Sequence, residues 1–190
     1  VCSSDLVFSL FAVSALAGLM TLCASADELR EIRIAVPDLS AGAQHSGGGI
    51  SDVLRSQQLL EKAFAGTGTE VQWFFFKGAG PAVNEALSNQ QLDFAYQGDL
   101  PAVVGRSNGL DTKLLAALGV RANLYLAVPK GSDIKTIEDL KGKKVAVFRG
   151  TNGHLVSINL LAAHGMSERD IKVINLDAGS TQAALVSNGV

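Results

Sequence analysis

The sequence predicts an α/β fold assembled from right-handed parallel βαβ units, and three observations carry that reading. Short alternating or β-branched runs recur between stretches of helical periodicity, and strands alternating with helices imply a parallel sheet with right-handed crossovers. The passages from strand to helix are rich in glycine and proline, the residues that make tight turns and open helices. The composition is that of a folded chain, 190 residues with 47% hydrophobic residues, 20 glycines, and 16 basic against 18 acidic side chains. That is too apolar and too weakly charged for disorder, and a net charge of −2 leaves no basic footprint for nucleic acid.

The chain opens with an apolar run, Leu6 to Leu22, followed by Ala24-Ser25-Ala26. An apolar stretch ending in Ala-x-Ala predicts a cleavable secretory signal peptide over residues 1–26, hence export to the periplasm. The run is short of the ~20 apolar residues of a spanning helix. A permanent anchor and a lipoprotein acylated at Cys23 are the competing readings, and Leu22 argues against the second because such sites want a small residue there. The start, Val1 with no Lys or Arg before the apolar run, reads as incomplete. Both cysteines, Cys2 and Cys23, leave with the segment. The mature chain is therefore expected to rely on its core rather than on disulfides, with no thiol nucleophile and no zinc–thiolate site.

Ile32 to Val36 alternates as a strand, and Pro37 to Gly49 is a glycine-rich loop. Ile50, Val53, Leu54, Leu60 and Phe64 share one helical stripe, which Gly66 and Gly68 end. Val71 to Phe76 is dense in β-branched and aromatic residues and predicts a buried strand, with Trp73 to Phe76 in the core. Pro81 to Gln90 predicts a helix opened by proline, Asp93 to Tyr96 a short strand, and Pro101 to Arg106 a second proline-opened helix. Further on, Leu124 to Val128 predicts a strand ended by Pro129-Lys130-Gly131. Thr136 is placed to cap a short helix through Leu140. Lys141 to Lys144 reads as a turn, Val145 to Phe148 as a strand, Gly153 to His164 as a helix closed by Gly165, and Val173 to Leu176 as a strand. A helix begins at Thr181. No strand follows it, so the chain is read as cut at this end too.

Four strand-to-helix junctions are candidate chemistry: Pro37 to Ser51, Lys77 to Pro81, Gln97 to Pro101 and Arg149 to Gly153. Open parallel sheets bind ligands at this edge. Helix amino ends present free N–H groups and partial positive charge, which favours anions. Ordinary turn chemistry explains any single junction equally well; four together point to a small polar or anionic ligand. Asp99 suits two roles, helix N-cap or ligand contact. Other motifs fall away. Gly78-x-Gly80 has Val83 where a dinucleotide fingerprint needs its third glycine, and there is no phosphate-loop Gly-Lys-Ser/Thr. His45-Ser46-Gly47-Gly48-Gly49 is not accompanied by a Gly-x-Ser-x-Gly elbow. His45, His154 and His164 lack metal-ligand spacing, so no metal and no cofactor are expected.

Several stretches carry a family resemblance: Phe75-Phe76-Lys77-Gly78-Ala79-Gly80-Pro81, then Asn84 to Leu87, Leu92-Asp93-Phe94 and Gly98-Asp99-Leu100-Pro101, and finally Ile134 to Gly150 with Thr151-Asn152-Gly153-His154. Together they resemble the aliphatic-sulfonate-binding proteins of ABC importers over about Ile32 to Val190. The resemblance implies a type II periplasmic-binding-protein-like fold, two α/β lobes around a cleft. Lobe 1 would be 27–121 and lobe 2 would be 122–190, with the second lobe and the C-terminal return incomplete. It implies a non-enzymatic receptor that binds a small organic anion, such as an aliphatic sulfonate, and delivers it to an ABC permease in the inner membrane, acting as a monomer. Ligand contacts would come from the first loop, Ser40 to Gly49, with Gln44 and His45 singled out, from Gly80, Pro81, Gly98 and Asp99, and from Thr151, Asn152 and His154. The first loop is longer than the family's pattern, with Gln44-His45-Ser46 before three glycines, which leaves taurine, nitrate or a thiamine-pyrimidine precursor as alternative ligands. An enzyme on the same fold, or the effector-sensing half of a transcription regulator, are the rival functions.

Overall fold

A computed structural model describes residues 29–190, and the expected signal segment lies outside them. The elements run β1 (Glu31–Pro37), α1 (Gly49–Ser56), α2 (Leu59–Ala63), β2 (Glu70–Phe76), α3 (Ala79–Ser88), β3 (Phe94–Ala95) and α4 (Asp99–Ser107), then β4 (Lys144–Val147), α5 (Asn152–Ala163), β5 (Lys172–Asn175) and α6 (Ala178–Val186). They form two sheets, a three-stranded one in the order β2-β1-β3 and a two-stranded one of β4 and β5. Every pairing is parallel, as the alternation of strand and helix requires.

β1 lies in the middle of its sheet, so Ile32, Ile34, Ala35 and Val36 are all buried. A strand covered on both faces reads as a continuous apolar run. Ala35 packs with Val83 and Ala86 of α3 and with Leu92, and Phe76 and Leu87 complete this core. Val36 and Val83 are almost completely withdrawn from solvent, each stabilising the fold by about 1.5–3 kcal/mol relative to exposure. The Arg33 guanidinium grips the Asp93 carboxylate through two hydrogen bonds of 2.8 and 3.0 Å, and the Arg33 amide adds a third at 2.8 Å. That clamp holds the lead-in to β3 alongside β1. The second sheet has its own core of Leu140, Leu161 and Ile171, flanked by Ile134, Ile137, Val145, Met166 and Val173.

The structure corrects several local expectations. The stripe from Ile50 to Phe64 is two helices rather than one, broken where Gln58 takes a left-handed φ of 52°. The aromatic run in β2 is a strand, but it lies at the sheet edge, and Phe74 is 37% exposed rather than core. Trp73 instead donates its indole N–H to Glu61 of α2 at 2.8 Å, fixing that short helix to the sheet. Leu124 to Val128 forms no strand. Among the described residues no strand runs beside it to pair with its ladder groups. Asp99 is not an N-cap: Gly98 holds that position, and the Asp99 carboxylate accepts from the Leu100 amide at 2.7 Å. Thr136 does not cap the turn at Glu138–Leu140, where Ile137 holds the N-cap position without a side-chain cap; Asp139 instead accepts from the Lys135 and Thr136 amides at 2.8 Å each and braces the segment that leads into the turn. Finally, α6 starts at Ala178, three residues before Thr181.

Candidate functional site

The central position of β1 decides where the first loop goes. Its carboxyl end delivers Asp38, whose residue is 4% exposed. One carboxylate oxygen accepts from the Ser40 and Ser46 amides at 2.9 and 3.4 Å, and the other meets His45 Nδ1 at 2.7 Å. Burial works to raise the Asp38 pKa, but these hydrogen bonds outweigh it and hold the carboxyl well below the usual range. The loop closes on itself through Leu39 N–H to the Ser46 carbonyl at 2.8 Å. Asp52 of α1 then reaches back. Its carboxylate accepts from the Ser46 hydroxyl and from the Gly47 and Gly48 amides, both at 3.1 Å. The Ser46 bond first, then those amides, keep Asp52 ionised below its ordinary value. Gly47 is obligatory, because an added Cβ would strike the Val36 side chain.

His45 is therefore part of the loop's internal bonding. Its ring stacks on Phe75 at 5.3 Å, Arg55 lies 4.9 Å from the same phenyl centroid, and the Arg55 guanidinium donates to the His45 carbonyl at 2.8 Å. Gln44 is exposed beside it.

The next three junctions behave differently. α3, α4 and α5 have Gly78, Gly98 and Thr151 at their N-caps, and none is capped by a side chain. Their starts pack together. Gly80 abuts the Pro101 ring so closely that a Cβ could not be added. Asn84 of α3 donates to the Pro101 carbonyl at 2.8 Å, and Gln97 donates to Asn84 at 2.5 Å. A Cβ on Gly98 would lie 3.4 Å from the Asn152 side-chain oxygen, and one on Gly150 would lie 2.8 Å from Pro81. Gly150 also has a φ of 78°, a left-handed conformation that glycine adopts freely. At the start of α3, Ala79 holds φ 50° in spite of its Cβ, a strained conformation of the kind that clusters at ligand sites. These contacts join the two sheets, since α3 and α4 follow strands of the first and α5 follows β4 of the second.

Beside them lies a hollow of about 270 Å3, lined by Asp38, Ser40 and Lys77 from the first sheet's side and by Asp177, Gly179 and Ser180 from the start of α6. Gly179 closes it, the place of its missing Cβ lying 3.4 Å from the Ser40 carbonyl. Asp177 caps α6 by accepting from the Ser180 amide at 2.7 Å. That bond first, with Lys77 contributing less, holds Asp177 below the ordinary carboxylate pKa. Ser40 Oγ is buried beside the Asp38 carboxylate, whose pKa it helps to lower, without the alignment of a full hydrogen bond to any described residue.

Of the residues singled out from sequence, the structure brings Gly80, Pro81, Gly98, Asp99, Thr151 and Asn152 together at the converging helix starts. Thr151 donates its hydroxyl to the Phe148 carbonyl at 2.7 Å. His154 serves the fold of the second sheet: Nδ1 accepts from the Gly150 amide at 3.3 Å, and Nε2 lies 3.2 Å from Glu168. Asp38 and Lys77 fell within candidate junctions without being singled out, and Asp177 and Ser180 were not among the candidates. The fifth junction, Asp177-Ala178-Gly179-Ser180, carries a readable sign, an N-cap aspartate after a β-branched strand; placing the helix start at Thr181 hid it. Among the described residues no group of three or more His, Cys, Asp or Glu side chains is placed to hold a metal, and no helix is long and apolar enough to cross a membrane.

The family model described as NMT1/THI5 like matches residues 64–190. The chain belongs to the NMT1/THI5-like family. Within the curated relatives, a protein of Escherichia coli (strain K12) named for binding aliphatic sulfonates is 34% identical over 75% of this chain and 44% of its own length. One of the same name from Bacillus subtilis (strain 168) is 32% identical over 86% of this chain and 47% of its own. Among solved structures, the alkanesulfonate-binding protein SsuA of Xanthomonas axonopodis pv. citri, bound to MOPS, superposes with a TM-score of 0.65 at 27% identity, covering 87% of this chain and 54% of that one. The periplasmic aliphatic sulphonate binding protein SsuA of Escherichia coli gives a TM-score of 0.57 at 26% identity, over 85% of this chain and 49% of that one. The chain thus spans about half the length of the relatives it matches. These likenesses bear out the family resemblance read from the sequence and the type II periplasmic-binding fold it implied. Each of these relatives is named as a binding protein.

Proposed function

We propose that this NMT1/THI5-like chain is a solute receptor of the periplasm, with lobe 1 (27–121) and lobe 2 (122–190) taking a small organic anion, an aliphatic sulfonate, between them for delivery to an ABC permease. The observation that carries this reading is the convergence of the α3, α4 and α5 starts without side-chain caps. Amides at a helix start carry about half a positive charge and no intrahelical partner, so starts meeting at one edge favour an anion over water, with α3 and α5 contributing more than α4, whose Leu100 amide Asp99 already takes. Gly80 and Gly98 let a ligand approach the backbone from one lobe, and Thr151 and Asn152 face it from the other. A ligand touching both sides favours the closed arrangement by its differential contacts, which is how a hinge receptor signals occupancy. The sulfonate named in the relatives' titles suits such a site, since its oxygens are hydrogen-bond acceptors that need donors and little else.

Calorimetric titration of the full chain with methanesulfonate, butanesulfonate, taurine and nitrate tests this reading. Saturable heat with at least one sulfonate is expected. No heat with any of them overturns the receptor assignment, and turnover of a thiamine-pyrimidine precursor by the purified protein would replace it with the enzymatic alternative.

A further inference from the structure

The loop from Phe148 to Thr151, between β4 and α5, is tied down by three side chains. Thr151 donates its hydroxyl to the Phe148 carbonyl at 2.7 Å. Asn175, at the end of β5, accepts from the Arg149 amide at 3.0 Å. His154 accepts from the Gly150 amide at 3.3 Å. The amides that come next, those of Thr151, Asn152 and Gly153, have no acceptor among the described residues. The anchors thus engage the groups before this run and leave the run itself open. A backbone N–H can only donate, so His154 Nδ1 is the acceptor and the ring proton sits on Nε2. Nε2 lies 3.2 Å from Glu168 Oε1, in the turn before β5, and Arg149 Nη2 approaches the same oxygen at 3.5 Å. A carboxylate at one ring nitrogen decides which nitrogen is left to accept.

Gly150 is also the left-handed residue of this loop, and it sits where a Cβ would come within 2.8 Å of Pro81 in α3. Two residues on, the Asn152 side-chain oxygen faces Gly98 at the start of α4. Any turn of the Gly150 peptide therefore moves the open amides of α5 relative to the starts of α3 and α4. We propose that His154 is a positioning residue. Through Nδ1 it holds the Gly150 peptide in place and so aims the Thr151, Asn152 and Gly153 amides at an anion between the helix starts, without touching the anion itself. This rests on the reading of the chain as a sulfonate receptor and deepens it. The role differs from the direct ligand contact that the family resemblance implied for His154.

Two substitutions divide the functions of the ring. In His154→Asn the side-chain oxygen reaches the place of Nδ1 and still accepts from Gly150, while the contact with Glu168 is lost. In His154→Gln the longer amide reaches the place of Nε2 and still donates to Glu168, while Gly150 loses its acceptor. Each variant gives up one hydrogen bond, so the two are expected to melt at similar temperatures, as a merely structural role would also require. Affinity separates them. The titrant is whichever of methanesulfonate, butanesulfonate and taurine the parent full chain binds most tightly at pH 7. His154→Asn is expected to bind it within about threefold of the parent and His154→Gln roughly tenfold more weakly, the scale of one hydrogen bond. Hydrogen exchange is expected to find the Gly150 amide protected in the parent and in His154→Asn, and unprotected in His154→Gln. Equal affinity of the two variants, or the weaker binding in His154→Asn, overturns the proposal and leaves the receptor standing. Loss of Gly150 protection in both variants overturns it too. Failure of the parent chain to bind any of the three sulfonates defeats the receptor reading and this proposal together.

Discussion

The first strand-to-helix junction and the three that follow it are built from similar residues, yet they do opposite things. The loop after β1 has the most glycine, the only histidine at any junction of the first sheet and the length that makes it look like the binding loop. In the folded chain the amides on either side of its tip are already taken. Asp38 holds Ser40 and Ser46, and Asp52 holds Gly47 and Gly48. The starts of α3, α4 and α5 have no side-chain cap at their N-cap positions and lie against one another instead, with a carboxylate reaching an amide only at α4, where Asp99 takes Leu100. A glycine-rich turn can offer its amides to an anion only where no carboxylate of its own chain has already taken them.

Acid sharpens this contrast most. Asp38 and Asp52 both have pKa values depressed in the folded state, so each contributes stability that is fully present above the unfolded carboxylate value, about 4. That contribution is lost as pH falls through the lower folded values. Hydrogen exchange followed from pH 7 downwards is expected to show the amides of Ser40, Ser46, Gly47 and Gly48 losing protection as the pH drops below ~4. Protection that survives full protonation of these carboxylates would refute the account of the first loop.

Next in size is Gly80→Ala. The new methyl would collide with Pro101, where the helix starts must stay together. Overpacking of this kind costs about 1–3 kcal/mol, and a urea melt should show it as a lower midpoint with little change in slope. A neutral result would mean that the α3 and α4 starts have room to separate. The smallest effect is expected from Asp52→Asn. It keeps an acceptor for one amide and loses the charge, costing about 1 kcal/mol by denaturant melt. Because the first loop's amides lie outside the converging starts, sulfonate affinity should barely change. A large loss of affinity would put the anion on the first loop and break the comparison.

Much of the architecture was legible in the chain. The strands at Ile32, Val71, Val145 and Val173, and the helices after Gly80 and Thr151, are written in local periodicity and in the glycines and prolines that punctuate it. The errors share a physical cause. The strand expected over Leu124 to Val128 and the buried aromatics of β2 depend on which strand lies alongside, and a residue's own propensity carries no information about its neighbour. The break at Gln57-Gln58 sits where Glu61 of the second helix is drawn to Trp73, a contact between separate elements. Within the site, Gly80, Gly98 and Asn152 were readable from junction chemistry. Asp38 looked like an ordinary loop residue, and Lys77 was part of a junction without a role.

The amino-acid order by itself determined the parallel α/β character and, to within a few residues, where most helices begin, because these follow from short-range sterics and the spacing of apolar side chains. Only the tertiary structure decided which helix starts meet and which amides are already taken by a carboxylate of the same loop. It also decided that Lys77 and Asp177, a hundred positions apart along the chain, share one hollow. Those outcomes depend on distances through space, which the closing of two sheets against each other sets and which no local pattern records.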